Sequence, residues 1–168
     1  MELTTVRRSD GTAVGLCGNL FIIYYERTPD MKTAAVVDSA ATVALCGLQN
    51  VSALIVIDPE ARTPEPAVRS AIQKTIQRYE SQTLAIAYAI TGFGFSNAAT
   101  RAVISGLLLL VRPPCPTKVH ASIRSATNWL RDRVPSTGPI IDNARRVETI
   151  ERFCTRTAAP PWADIRTA

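Results

Sequence analysis

Val51-Ser-Ala-Leu-Ile-Val-Ile57 and Leu84-Ala-Ile-Ala-Tyr-Ala-Ile90 are two apolar runs of almost unbroken hydrophobicity. Successive side chains of a strand point to opposite sides, so a strand wetted on one face alternates, and a run that does not alternate has both faces covered. Seven residues is strand length, too short for a helix. Between the runs, Val68, Ile72, Ile76 and Tyr79 recur at helical spacing. A third run, Thr117-Lys-Val-His-Ala-Ser-Ile123, does alternate, with Val119, Ala121 and Ile123 on one side and Lys118, His120 and Ser122 on the other. That pattern predicts a strand near a sheet edge with one wetted face. Helix-length segments separate the three runs, so the rhythm is that of a parallel α/β sheet.

Working outward, residues 3–25 read as a β-meander, with turns at Ser9-Asp10-Gly11 and Gly18-Asn19. Thr28-Pro29-Asp30 is a helix start, with Thr28 placed to cap and Pro29 at the first helical position. Ala34, Val37, Ala41, Ala44, Leu45 and Leu48 then fall on one face, and Gln49-Asn50 ends the helix. Thr63-Pro64-Glu65 repeats that start signal ahead of the second helix. A third helix is expected over 98–111, stopped by Pro113-Pro114; it is apolar nearly all round, and its small residues Ala98, Ala99, Ala102, Ser105 and Gly106 suit close approach to the sheet. A fourth begins near Ser125 and buries Ala126, Trp129 and Leu130. The fold class is therefore α/β, a mixed β-sheet with an N-terminal β-meander, parallel central strands and about four packed helices. The α/β domain occupies residues 1–134. Residues 135–168 form a C-terminal extension with one short amphipathic helix, 142–153, on which Val147, Ile150 and Phe153 share a face.

Composition excludes several classes. Hydrophobic residues make up 46% and charged residues 20% of the 168, which suits a folded chain and not a disordered one. The longest apolar stretch, 102–111, is about half of the roughly 20 residues a bilayer span needs, so no transmembrane segment is expected. Arg7 and Arg8 precede an apolar stretch in the manner of a secretory signal, but Asp10, the Gly18-Asn19 break and the lack of a small-x-small cleavage site favour the hairpin, and the cytoplasm is the expected compartment. Cys17, Cys46, Cys115 and Cys154 contain no C-x-x-C pair and have a single histidine, His120, to join them; they read as reduced thiols, with neither a zinc site nor a disulfide scaffold and no cofactor.

The net charge of +5 has a location. Residues 81–131 hold no Asp or Glu but carry Arg101, Arg112, Lys118, Arg124 and Arg131, which account for the whole excess. A one-signed face of this kind attracts acidic proteins, phosphorylated ligands or anionic lipid. Specific nucleic-acid binding is not expected, because there is no basic run and no interleaved aromatic platform.

In a parallel sheet, ligands enter at the carboxyl ends of the strands, here the loops at 58–66 and 92–97. The second loop is the better candidate partner- or ligand-binding site: Gly92 and Gly94 let a backbone come close, Ser96 or Asn97 caps the helix, Phe93 and Phe95 can stack or grip, and Arg101 lies one turn in. A glycine turn with one phenylalanine buried accounts for the same residues. No catalytic constellation is found. His120 has neither an orienting carboxylate nor a nucleophile near it in sequence, Asp58 before Pro59 is a strand-ending turn rather than half of a carboxylate pair with Glu60, and Ser39 lies in an amphipathic helix without a G-x-S-x-G setting.

The order of elements over 1–134, together with Ala98-Ala-Thr-Arg-Ala-Val-Ile-Ser-Gly-Leu107 and Ile123-Arg-Ser-Ala-Thr-Asn-Trp-Leu130, resembles STAS domains, the fold of bacterial anti-sigma-factor antagonists. The resemblance implies a non-catalytic bacterial regulatory module that binds a protein partner; the C-terminal helix is open either to docking as an extra helix or to joining two copies as a homodimer. It also implies a phosphorylated hydroxyl in an Asp-Ser-Ser-Gly type motif at the start of the second helix. This chain has Asp58-Pro-Glu-Ala-Arg-Thr-Pro-Glu-Pro66 there, so Thr63 is the hydroxyl left for phosphorylation, and a simple N-cap is its alternative role. The rival expectation is a binder of a small anionic ligand, a nucleotide or phospholipid headgroup, at the same loop-helix crevice.

Overall fold

Glycines in the left-handed region close both turns of the opening meander, Gly11 at φ 68° and Gly18 at φ 59°. They join β1 (Thr4–Ser9), β2 (Thr12–Cys17) and β3 (Leu20–Tyr25), which pair antiparallel. The computed structural model describes residues 3–92, 95–111, 113–133 and 143–158, of which 95–97, 107–111 and 156–158 by their backbone. After β3 each strand pairs in parallel with the one before it, β4 (Val51–Ile57) with β3, β5 (Thr83–Ile90) with β4, and β6 (Thr117–His120) with β5. The result is one six-stranded sheet in the order of the sequence. The uninterrupted runs at β4 and β5 are interior strands, and the alternating run is an edge.

Because each parallel crossover adds its strand on the same side, right-handed connections place α1 (Met31–Ala44), α2 (Pro66–Arg78) and α3 (Phe95–Val111) on one face. There Val37, Ala40, Ala41 and Leu45 of the first helix pack on Val14, Phe21, Ile23, Tyr25, Ile55 and Ile86. The other face takes α4 (Ile123–Arg131) and α5 (Asn143–Ala158), whose Ile123, Ala126, Leu130, Val147, Ile150 and Phe153 cover Ala13, Ile22, Leu54, Ala85 and Ala87. The four expected helices pack on the sheet among the described residues, and the amphipathic helix of the C-terminal extension packs with them as a fifth; its buried stripe completes one of the two cores.

Both Thr-Pro-acid signals act two residues later than their spacing predicts. Asp30, not Thr28, is the N-cap of α1, accepting from the Thr33 amide at 2.7 Å. Glu65 holds the corresponding position before α2, without a side-chain capping bond. An acidic side chain follows each proline, and at α1 the Asp30 carboxylate makes the capping bond that the Thr28 hydroxyl was expected to make. The end of α1 is also earlier than Gln49-Asn50, with Gly47 at φ 73° turning the chain just past its last residues.

The alternating run breaks off sooner than expected. Ser122 accepts from the Ser125 amide at 3.2 Å and starts α4, so Ile123 opens a helix instead of closing a strand. His120, expected on the wetted side, is 8% exposed and packs against Trp129 with ring centroids 5.6 Å apart.

Candidate functional site

At the carboxyl end of the sheet, Asp58 ends β4 and ties two neighbours together. The Tyr24 hydroxyl donates to its Oδ2 at 3.1 Å, and the Glu60 amide donates to its Oδ1 at 3.1 Å. Burial, and then the adjacent Asp58 carboxylate, push the Tyr24 phenol well above its usual range, so it stays a donor. Both oxygens of Asp58 accept hydrogen bonds that hold the loop in place. The loop continues through Arg62, whose amide donates to Thr28 Oγ1 at 2.7 Å, so Thr28 fixes the β4–α2 connection instead of capping a helix.

Beyond that anchor, Pro59, Glu60, Ala61, Arg62 and Thr63 face Thr100 of α3 across a cleft of about 580 Å³. Thr63 is exposed on this rim, three residues before the first residue of α2. Of the two loops expected to frame a crevice, the 58–66 loop lines this cleft, with Thr63 on one wall and Thr100 of α3 on the other.

The expected residues of the second wall distribute differently. Gly92 is half-buried at φ 98°, a conformation that requires glycine. Phe93 and Gly94 lie outside the described residues. Helix α3 begins at Phe95, so Ser96 and Asn97 sit within its first turn and not at a cap before Ala98; the side chains of Phe95, Ser96 and Asn97 are outside the description. Arg101 is half-buried and turns back toward the sheet, its Nη1 donating to Ile90 O at 3.4 Å.

The small residues of α3 do not face the sheet. Ala98, Ala99, Ala102, Ser105 and Gly106 are all exposed, Val103 is 55% exposed, and a Cβ added at Gly106 would meet nothing within 4 Å. Thr100, Arg101 and Ile104 form the half-buried seam instead. A helix read as apolar all round thus presents an uncharged, small-residue face outward.

Two buried hydroxyls escaped notice in the sequence because they lie inside apolar runs: Tyr25, 4% exposed, and Ser52, 2% exposed, each with an oxygen lacking a partner among the described residues. All four cysteines are free thiols, Cys46 exposed and the other three buried. No cluster of three or more metal-ligating side chains occurs among the described residues. No helix among them is long and apolar enough to cross a membrane.

These features define an α/β chain with a STAS-like fold. A solved structure that it matches is that of an uncharacterised protein of the DUF3478 family with a SpoIIAA-like fold, from Shewanella loihica PV-4, at 13% identity and a TM-score of 0.50, covering 77% of this chain and 96% of that one. No protein-family model matches the chain, and no curated protein matches it.

Proposed function

We propose that the chain is a non-catalytic bacterial regulatory module of the cytoplasm that works by binding another protein through the outer face of α3. The observation behind this reading is the exposure of Ala98, Ala99, Ala102, Val103 and Gly106 on one helix without an acidic or basic side chain among them. The centre of a protein interface is depleted of charge and packs closely, which small residues permit. Arg101 at the base of the helix and the basic excess of residues 81–131 favour an acidic partner. Val103→Asp puts a charge at a solvent-exposed position, so it leaves the melting temperature within about 2 °C of the parent, on the scale of an ordinary surface change. In quantitative affinity capture from a bacterial lysate, the partner enriched by the parent is lost with this variant. Equal enrichment of the same partner by both proteins would remove α3 from consideration.

The cleft keeps the second reading in play, since Arg62, Thr63 and Thr100 surround a space of small-ligand size. On that reading a nucleotide or phospholipid headgroup at millimolar concentration raises the melting temperature by mass action, and Arg62→Ala abolishes the rise. Arg101 contributes less to it than its position in the sequence implies, because its guanidinium is directed to the Ile90 carbonyl.

A further inference from the structure

The sheet ends in two margins that differ in what they offer. The first, β1, shifts register between Thr5 and Arg7, and its Arg8 is drawn onto Phe153, with the guanidinium 4.8 Å from the ring centroid. A bulge of that kind breaks the row of main-chain groups that a further strand needs. The second, β6, pairs with β5 without a shift from Thr117 to His120. The Ile86 amide donates to Pro116 O at 2.9 Å, and bonding residues alternate along a parallel strand, so the amides and carbonyls of Thr117 and Val119 point away from β5. No strand lies beyond them among the described residues.

The flank of that margin is basic and aromatic. Lys118 and His120 are in register with Ala87 and Ala89, which places their side chains on the face that carries α4. Trp129 of α4 is half-buried there, its ring 5.6 Å from that of His120, and the Arg133 guanidinium lies 4.1 Å over the indole. Lys118 and Arg133 are both exposed, and after burial itself both depress the pKa of His120, so the two cations converge on one spot. Arg124 and Arg131 stand exposed on the same helix. Residues 81–131 hold no acid, and Asp132 is answered by Arg131 at 3.3 Å. Tryptophan and arginine are the residue types enriched among those that carry the binding energy of protein interfaces.

Charge selects the occupant. Two copies of β6 brought edge to edge would set Lys118 against its own copy, and like charges opposed across a strand pair are destabilising. The lysine that blocks self-pairing therefore favours a carboxylate in the same place. We infer that β6 takes up an extended acidic segment of a partner protein as an additional strand, with its carboxylates reaching Lys118 and Arg133 beside Trp129. Main-chain bonds to Thr117 and Val119 supply the affinity of such an addition, and the cations supply its selectivity. The carboxylates sit on the α4 face of the sheet, opposite α3, so this surface is separate from the outer face of α3 and does not depend on it.

Fluorescence anisotropy of a labelled octapeptide of alternating glutamate and valine, titrated with the full chain, tests the inference. The parent binds it saturably. A lysine–valine counterpart and the acidic peptide N-methylated along its main chain each bind at least tenfold more weakly, the first through charge and the second through lost donors. Lys118→Glu and Arg133→Glu each weaken the acidic peptide about tenfold, and both melt within about 4 °C of the parent, as exposed changes do. Val103→Asp leaves the peptide affinity unchanged, which keeps this result apart from that of the α3 face. The inference is overturned by an absence of saturable binding, by equal affinity for either control peptide, or by full affinity in Lys118→Glu or Arg133→Glu. Displacement of the peptide by phosphatidylglycerol vesicles overturns it as well, since it assigns the patch to a membrane surface.

Discussion

Docking of α5 rests on a close fit that a double-mutant cycle can measure. Gly15 in β2 has no side chain, and Phe153 of α5 occupies the room: a Cβ built there would lie 3.1 Å from Phe153 Cζ, 3.2 Å from its Cε2 and 3.3 Å from Leu3 Cδ2. Ordinary carbon contacts begin near 3.5 Å, so Gly15→Ala forces the ring outward by a few tenths of an ångström, at a cost of about 1–3 kcal/mol for overpacking. Phe153→Ala removes a ring that is 4% exposed and leaves a cavity under α5, costing about 3–5 kcal/mol. It also removes the ring beneath the Arg8 guanidinium, 4.8 Å from the centroid, worth about 0.5–1 kcal/mol at a partly exposed site. In the double variant the new methyl group occupies space the ring has vacated. Its penalty disappears, and the total falls short of the summed single costs by about 1–2 kcal/mol. Urea unfolding followed by far-ultraviolet circular dichroism yields all four stabilities. Additivity within about 0.5 kcal/mol would refute the contact, and so would a Gly15→Ala protein more stable than the parent, the usual result of filling open space in a strand.

Two further expectations concern titrating groups. Burial, and then Lys118 and Arg133, lower the pKa of His120, and its Nε2 has no partner among the described residues, so the folded chain prefers the neutral ring. A base whose folded pKa is depressed contributes its full stability above the unfolded value near 6.5 and loses it as the pH falls toward the folded pKa; stability therefore declines below pH 6.5, and His120→Gln flattens that part of the profile in urea melts at fixed pH. A decline of equal size in the variant would assign the effect to other groups. Among the cysteines only Cys46 is exposed, while burial pushes Cys154 up to about 12 and also raises Cys17 and Cys115. One thiol reacts rapidly with Ellman's reagent in the native chain and four react in denaturant; Cys46→Ser removes the fast phase, and a second fast thiol in the native protein would contradict the described burial.

Strand identity was legible because it depends on nearest-neighbour chemistry. The unbroken runs at β4 and β5 state that both faces are covered, and the Gly11 and Gly18 turns state where the meander folds back. What a segment covers, by contrast, depends on where its neighbours stop. The composition of α3 is that of a helix pressed on a sheet, yet Ala98, Ala99, Ala102, Ser105 and Gly106 lie in solvent and Thr100, Arg101 and Ile104 form its half-buried seam. His120 alternates with exposed residues and is nonetheless buried, because Trp129 arrives from a helix that starts two residues earlier than its apolar spacing predicts. Residues within one or two positions of a helix end carry little periodic information, since a capping hydroxyl or carboxylate decides the boundary. The position of the 58–66 loop at the carboxyl end of the sheet was legible from topology, and the roles of Asp58 and Thr28 were not, because each depends on a partner more than 30 positions away in the chain.

One signal inside β5 does distinguish the two sides of the sheet. Its apolar run alternates in size, with Ala85, Ala87 and Ala89 in the core under α4 and α5, and Ile86 and Tyr88 in the core under α1 and α2. Alanines at 0% exposure on one face let a helix axis come near the strand, and α4 takes that place with Ala126, itself fully buried, against them. Close approach of helix to sheet is therefore set by small residues on the strand, on the face opposite α3. The bulky residues Ile86 and Tyr88 stand on the other face of β5, in the core that α1 helps to cover.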